Sequence, residues 1–278
     1  TARSLHEVLA GQALTRFDLR VPQHATADLA GATVREVVSR GKHILHRIDE
    51  PGTDGRGGEA WTLHTHLKMD GSWHRYRQGT RWQRPAYTAR AVLETAEWQT
   101  VGFLLGVVDL VRTADEDAVV GHLGPDLLGA DWDAEVAAAN LARDPDREIG
   151  VALLDQRNLA GLGTIFRAEL CFLRGVSPWR RVGDVDDLPG MVALAHRIIR
   201  ANRDRVERTF TGSLRRDRYW VYGREHEACR RCGTRVNVVR IVRVIAGLED
   251  DRIVRREPGE GVDVRIGVVA FQVAVVEP

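Results

Sequence analysis

Leu5, Val8 and Leu9 recur at three- and four-residue intervals between Ser4 and Ala10, and Gly11 follows as a stop, which predicts a short amphipathic helix. From Ala13 to about Arg112 the period falls to two. LTRFDLRVP, ATVREVVSR, HILHRI, AWTLHTHL and ARAVLETA alternate apolar and polar positions between turn residues, with PGTDGRGGE as a loop between the third and fourth. About a hundred residues of this kind predict an antiparallel sandwich.

GHLGPDLL, at Gly121–Leu128, marks a change to helical spacing. DWDAEVAAANLAR, rich in alanine and opened by Asp131 as the capping candidate, predicts one helix. REIGVALLDQRNLAGLGTIFRAELCFLRG predicts two helices parted at Gly161-Leu162-Gly163, and MVALAHRIIRANRDRVERTF predicts another that ends near Phe210. From Val236 to Pro278 the chain carries 17 Val or Ile in 43 residues, a tail expected to be poorly ordered or only loosely paired.

Composition narrows the class. Of 278 residues 44% are apolar, as in ordinary globular chains, with room for one large domain or two to three smaller ones. There is no run near 18 apolar residues and no secretory pattern after Thr1, so neither a membrane span nor export is expected and the expected location is cytoplasmic. Three cysteines cannot make a disulfide framework and suit a reducing compartment. The net charge of +1 conceals an uneven distribution: Asn202–Arg243 holds twelve arginines against five acids. Such a stretch suits a polyanion, and equally reads as a solvated face. Only two of the forty basic residues are lysine, Lys42 and Lys68, which marks both for attention because arginine cannot replace a compact or deprotonatable amine.

Three motifs carry candidate chemistry. In DQRNLAGLGTIFRAE, a helix ending at two glycines and restarting at once would offer backbone N–H groups and a helix dipole to a phosphate, although such turns also serve packing alone. In VYGREHEACRRCGT, Cys229 and Cys232 form half of a zinc site or a redox dithiol; the absence of a strand-then-helix context favours zinc, and His226 completes only part of a sphere. In HTHLKMDGSW, with SRGKHIL upstream, Met69 between a strand end and a turn is placed to wedge into a base stack, or to fill a core gap.

In order and spacing SRGKHIL, HLKMDGSW, HLGPDLL, LLDQRNLAGLG and VYGRxxxxCxxCGT resemble the formamidopyrimidine-DNA glycosylase and endonuclease VIII family, from Thr1 to about Thr234, with the actinobacterial endonuclease VIII-like branch as the nearer match. The resemblance implies an α+β multidomain fold. Its parts are a β-sandwich lobe with a leading helix over 1–115, a helix-two-turn-helix DNA-binding domain over 122–223, and a zinc-finger hairpin over 224–278, degenerate here. It implies a monomeric, nucleoid-associated repair enzyme. That enzyme excises oxidised bases, pyrimidines in this branch, from double-stranded DNA, acts at abasic sites, and nicks the strand by β/δ-elimination.

The resemblance further implies that Lys42 holds a phosphate near the lesion and assists catalysis, that His66 contacts a neighbouring phosphate, and that Met69 fills the space left by the extruded nucleotide. It assigns Gly161, Gly163 and Thr164 to a phosphate-binding turn, and Cys229 and Cys232 to structural zinc. Three departures stand out. The family's terminal proline and following glutamate have no counterpart before the first helix, and the amine of Thr1 is misplaced for the nucleophile. Thr164 stands where the family has asparagine, and no second cysteine pair follows Cys232. The expectation drawn from these is a truncated N-terminus and a tail read in a shifted frame. The rival expectation is a catalytically inactive homologue that binds damaged DNA; a sequence-specific regulator built on the helical region is a third.

Overall fold

Helix α1 (Ala2–Leu9) buries Leu5, Val8 and Leu9, the three positions its spacing singled out. The protein is described by a computed structural model that covers residues 1–52, 58–215, 217–244, 253–254 and 268–275 and falls into two units, Thr1–Leu123 and Gly124–Pro278. In the first unit eight strands follow α1: β1 (Arg16–Leu19), β2 (Thr33–Arg40), β3 (His43–Asp49), β4 (Ala60–His66), β5 (Ser72–Arg77), β6 (Ala89–Glu94), β7 (Trp98–Phe103) and β8 (Val107–Arg112), and a single turn of helix, α2 (Asp117–Val120), closes it. They form two antiparallel sheets, ordered β1-β6-β7-β5 and β2-β3-β4-β8.

Period-two alternation builds the core of this unit. Ile44 and Ile48 of β3, Leu63 of β4 and Val108 of β8 join Phe17 and Leu19 of β1, Ala91 and Leu93 of β6 and the α1 residues in one apolar cluster. Each fully buried aliphatic side chain of this kind stabilises the fold by about 1.5–3 kcal/mol. Trp73 closes the cluster, and its indole N–H donates to Thr65 Oγ1 at 3.2 Å, which meets the polar requirement of a buried indole. The β2–β3 turn needs Gly41, whose φ is +58°.

The second unit contains α3 (Ala134–Ala142), α4 (Ile149–Ala152), α5 (Thr164–Arg174) and α6 (Leu188–Asn202), then β9 (Asn237–Val244), β10 (Ile253–Val254) and β11 (Val268–Val275). The α3 cap is Asp133 rather than Asp131: its carboxylate accepts from the N–H groups of Glu135 and Val136 at 2.9 and 3.0 Å. Asp133→Ala is expected to lower the unfolding free energy by about 1 kcal/mol in urea titration, with Asp133→Ser close to wild type.

Two helices are shorter than their spacing predicts. The one expected up to the glycines stops at Ala152, because polar side chains beyond it take the backbone groups: Asn158 Nδ2 donates to the Ala152 carbonyl at 2.9 Å and Gln156 Nε2 to the Leu162 carbonyl at 3.1 Å. Helix α6 stops at Asn202 instead of near Phe210, since Asn202 accepts from Thr209 N and donates to Thr209 O at 2.8 and 3.0 Å. The tail is paired rather than loose over its described strands, with β9 in register against β11 from Asn237↔Val275 to Val244↔Val268, as the β-propensity of valine and isoleucine favours.

Candidate nucleic-acid interface and active site

The same alternation that fills the core sets a polar cluster on the opposite face of the β2-β3-β4-β8 sheet. With Ile44, Leu63 and Val108 turned inward, His43, His64, His66 and Asp109 share the other side, where β3–β4 pairing sets His43 against His66 and β4–β8 pairing sets His64 against Asp109. His43 Nδ1 lies 2.6 Å from His64 Nε2, and His64 Nδ1 lies 3.2 Å from Asp109 Oδ2. His66 and His122 complete the group, with ring centroids 4.8 and 6.2 Å from that of His43.

Both lysines of the chain border this cluster. Lys42 sits in the β2–β3 turn just ahead of His43, exposed as a residue, with its amine crowded enough by protein that burial, followed by the charge of Lys68, lowers its pKa to about 8. Lys68 takes a left-handed conformation (φ +52°), and its backbone N–H donates to His66 Nδ1 at 2.9 Å, which orients that ring. A side chain at Gly106 would collide with the Lys68 stem, so the β7–β8 turn requires glycine there. Burial first and the neighbouring cations second push His66 down to about 4, so the ring stays neutral and the positive charge of the face resides on the lysines. Met69 follows at 93% exposure, which excludes the gap-filling alternative.

Lys42, His66 and Lys68 therefore come together in the first unit, with the exposed Met69 next in the chain after Lys68. His43, His64, His122 and Asp109 were not singled out in the sequence, although the signal was there: His-x-His at period two in a strand places both rings on one side.

In the second unit Gly161 (φ +103°) makes the turn before α5, and its N–H donates to Gln156 Oε1 at 3.0 Å, so it is not the free donor the motif suggested. Gly163 caps α5 without a side-chain bond, and Thr164 is the first helical residue. Among the described residues no acceptor meets the N–H groups of Gly163 and Thr164, which leaves two open donors at a helix N-terminus.

Cys229 and Cys232 flank a tight hairpin closed by Cys229 N–H to Thr234 O (2.7 Å) and Gly233 N–H to Cys229 O (2.9 Å). Cys229 is buried and Cys232 exposed, and hydrogen bonds from Thr234 lower the Cys232 thiol pKa. A tetrahedral zinc site needs four ligands, and among the described residues no group of three or more His, Cys, Asp or Glu is placed to hold a metal. The described ligand set does not fit zinc by itself.

Residues 1–105 match the family described as formamidopyrimidine-DNA glycosylase N-terminal domain. The chain is 52% identical over 240 residues to probable endonuclease 8 2 of Streptomyces coelicolor (85% of this chain, 83% of that protein). It is 47% identical to the DNA-(apurinic or apyrimidinic site) lyase Nei2 of Mycolicibacterium smegmatis (86% and 90%) and 33% identical to the formamidopyrimidine-DNA glycosylase of Gluconobacter oxydans (82% and 85%). Among solved structures, the Lactococcus lactis Fpg complex with abasic-site DNA shares its fold at a TM-score of 0.67 and 20% identity, covering 86% of this chain and 91% of that one. The chain belongs to the formamidopyrimidine-DNA glycosylase and endonuclease VIII family, a class of base-excision repair DNA glycosylases and abasic-site lyases.

Proposed function

We infer that the protein is a bifunctional DNA glycosylase and abasic-site lyase of base excision repair, which acts on double-stranded DNA carrying oxidised bases, pyrimidines among them, and nicks the strand by β/δ-elimination. The observation that carries this is the juxtaposition of Lys42, Lys68 and His66 with the exposed Met69: two cations and a neutral imidazole N–H for the phosphates flanking a lesion, beside an apolar side chain free to enter the stack. Base flipping costs a few kcal/mol, and a side chain that occupies the gap offsets part of it.

In this reading residues 1–115 form the catalytic lobe and 122–223 a helix-two-turn-helix domain, with Gly161, Gly163 and Thr164 holding a phosphate at the start of α5. Residues 224–278 are a degenerate zinc-finger-like segment in which Cys229 and Cys232 are the two remaining ligand candidates. The enzyme works as a monomer in the cytoplasm, on the nucleoid. Among the described residues no helix is long and apolar enough to cross a membrane. None of the relatives compared is named for an inactive role, so nothing favours a binding-only homologue.

The deciding experiment is borohydride trapping of the full-length protein on abasic duplex DNA, because only an amine that forms an imine with the sugar becomes covalently linked. A protein–DNA adduct is expected; nicking-free binding with no adduct would overturn the reading in favour of the binding homologue. The role of Lys42 has its own signature. With a pKa of about 8 it loses its charge as pH rises from 7 to 9, so affinity for abasic duplex is expected to fall about tenfold over that range, the worth of one charge-assisted hydrogen bond. Lys42→Arg is expected to abolish that fall in fluorescence anisotropy, since its guanidinium stays charged.

A further inference from the structure

The face that carries Lys42 and His66 also carries a hydrogen-bonded chain that phosphate binding does not use: His43 Nδ1 to His64 Nε2 at 2.6 Å, and His64 Nδ1 to Asp109 Oδ2 at 3.2 Å. Its direction follows from donor chemistry. A carboxylate only accepts, so the His64 proton sits on Nδ1; the lone pair of a neutral His64 is then on Nε2, which accepts from His43 Nδ1–H. The outcome is a His43 whose remaining nitrogen, Nε2, is unprotonated. Burial of His64, at 4% exposure, and the edge-to-edge approach of the two rings, 26° from parallel with centroids 4.9 Å apart, hold both in this arrangement.

The groups facing His43 are Lys42 on its own turn, His64 and His66 of β4, Lys68 beyond β4, and His122 after α2. Asp109 of β8 and Glu116, at the start of α2, act on His64. Burial first, then the neighbouring imidazoles of His64, His66 and His122 and the charge of Lys68, bring His43 down to about 3, so the ring is neutral at physiological pH.

We propose that Asp109 and His64 are positioning residues that set the tautomer of His43, and that His43 Nε2 is the proton acceptor for strand cleavage at an abasic site. This rests on the lyase reading above. A residue between two phosphate-holding groups lies near the sugar they flank, whose C2′ is three bonds from the 3′ phosphorus. Once an amine of the enzyme has formed an imine at C1′, the C2′–H bond breaks. The proton passes to His43 Nε2, and the bond's electron pair forms C1′=C2′ as the imine nitrogen takes up a pair. That nitrogen pair then returns to re-form C1′=N⁺, the C1′=C2′ pair moves to C2′=C3′, and the C3′–O bond breaks with its pair leaving on the phosphate. The imidazolium left on His43 keeps its Nδ1–H bond to His64 Nε2 and passes its Nε2 proton on to solvent, which restores the neutral ring.

Two measurements test this with the full-length protein. Long-range ¹H–¹⁵N spectra of histidine-labelled wild type at pH 7 are expected to show His43 and His64 neutral with the proton on Nδ1, and Asp109→Asn is expected to disturb that pattern; a cationic ring, or His43 protonated on Nε2, would overturn the relay. In single-turnover assays on preformed abasic duplex, His43→Gln is expected to slow nicking about 100-fold and Asp109→Asn about tenfold, while the borohydride adduct still forms at a rate within about twofold of wild type. Nicking by His43→Gln at the wild-type rate would overturn the proton-acceptor role with the lyase reading intact. Failure of wild type to form the adduct would instead overturn the lyase reading, and with it this role for His43.

Discussion

Glu169→Ala is expected to lower the unfolding free energy by about 3–5 kcal/mol, among the largest effects of any single substitution in this chain. Glu169 lies on α5 with no solvent exposure, and its carboxylate accepts three backbone N–H groups: Trp220 at 2.9 Å on one oxygen, Val221 and Tyr222 at 3.0 and 2.9 Å on the other. Burial pushes its pKa up while the three donors pull it down. Alanine would leave those donors without a partner beside the small apolar cluster of Ala168, Val221, Cys229 and Val236. Glu169→Gln keeps one accepting oxygen and is expected to lose about half as much. Urea unfolding followed by Trp220 fluorescence measures both; equal midpoints for wild type and Glu169→Ala would remove the contact from the account of stability.

The second large effect is acid sensitivity. His46 is completely buried on the core side of β3, tilted against Trp73 at 5.0 Å, and burial lowers its pKa from 6.5 to about 4. In the unfolded chain the imidazole takes up a proton near pH 6.5; in the folded chain it resists until about pH 4. Between those values the unfolded state binds more protons, so stability present above pH 6.5 is lost as pH falls, by about 3 kcal/mol in total. His43 and His66 shift in the same direction, but both are only partly buried and add less. The upper part of this window lies above the range in which the ion-paired Glu116 and Asp155, both lowered, become protonated. His46→Gln is expected to flatten the pH 6.5 to 5 slope of the urea midpoint; an unchanged slope would assign the effect elsewhere.

What could be read from the sequence divides along a physical line. Elements with an unbroken hydrophobic period, such as α1 and strands β2, β3 and β4, lie where their spacing puts them. Those misjudged were decided by side chains competing for backbone groups: Asn158 and Gln156 after α4, Asn202 with Thr209 at the end of α6, and Asp133 in place of Asp131 at the start of α3. Apolar periodicity carries no record of such bonds. The candidate site divides similarly. Lys42, His66 and Met69 could be found from local motifs, whereas the His43–His64–Asp109 chain depends on register across three strands, which links residues up to 66 positions apart.

The grip of Glu169 on residues 220–222 bears on how this part of the chain can diverge. The carboxylate recognises main-chain N–H groups and no side-chain chemistry, so for this contact nineteen of the twenty amino acids are equivalent at each of the three positions. Proline alone, lacking the N–H, is barred. Among related chains the trace of this anchor is therefore a retained acid at position 169 opposite three positions closed to proline, with the choice of side chain there set by packing, as for the buried Val221, and not by the anchor.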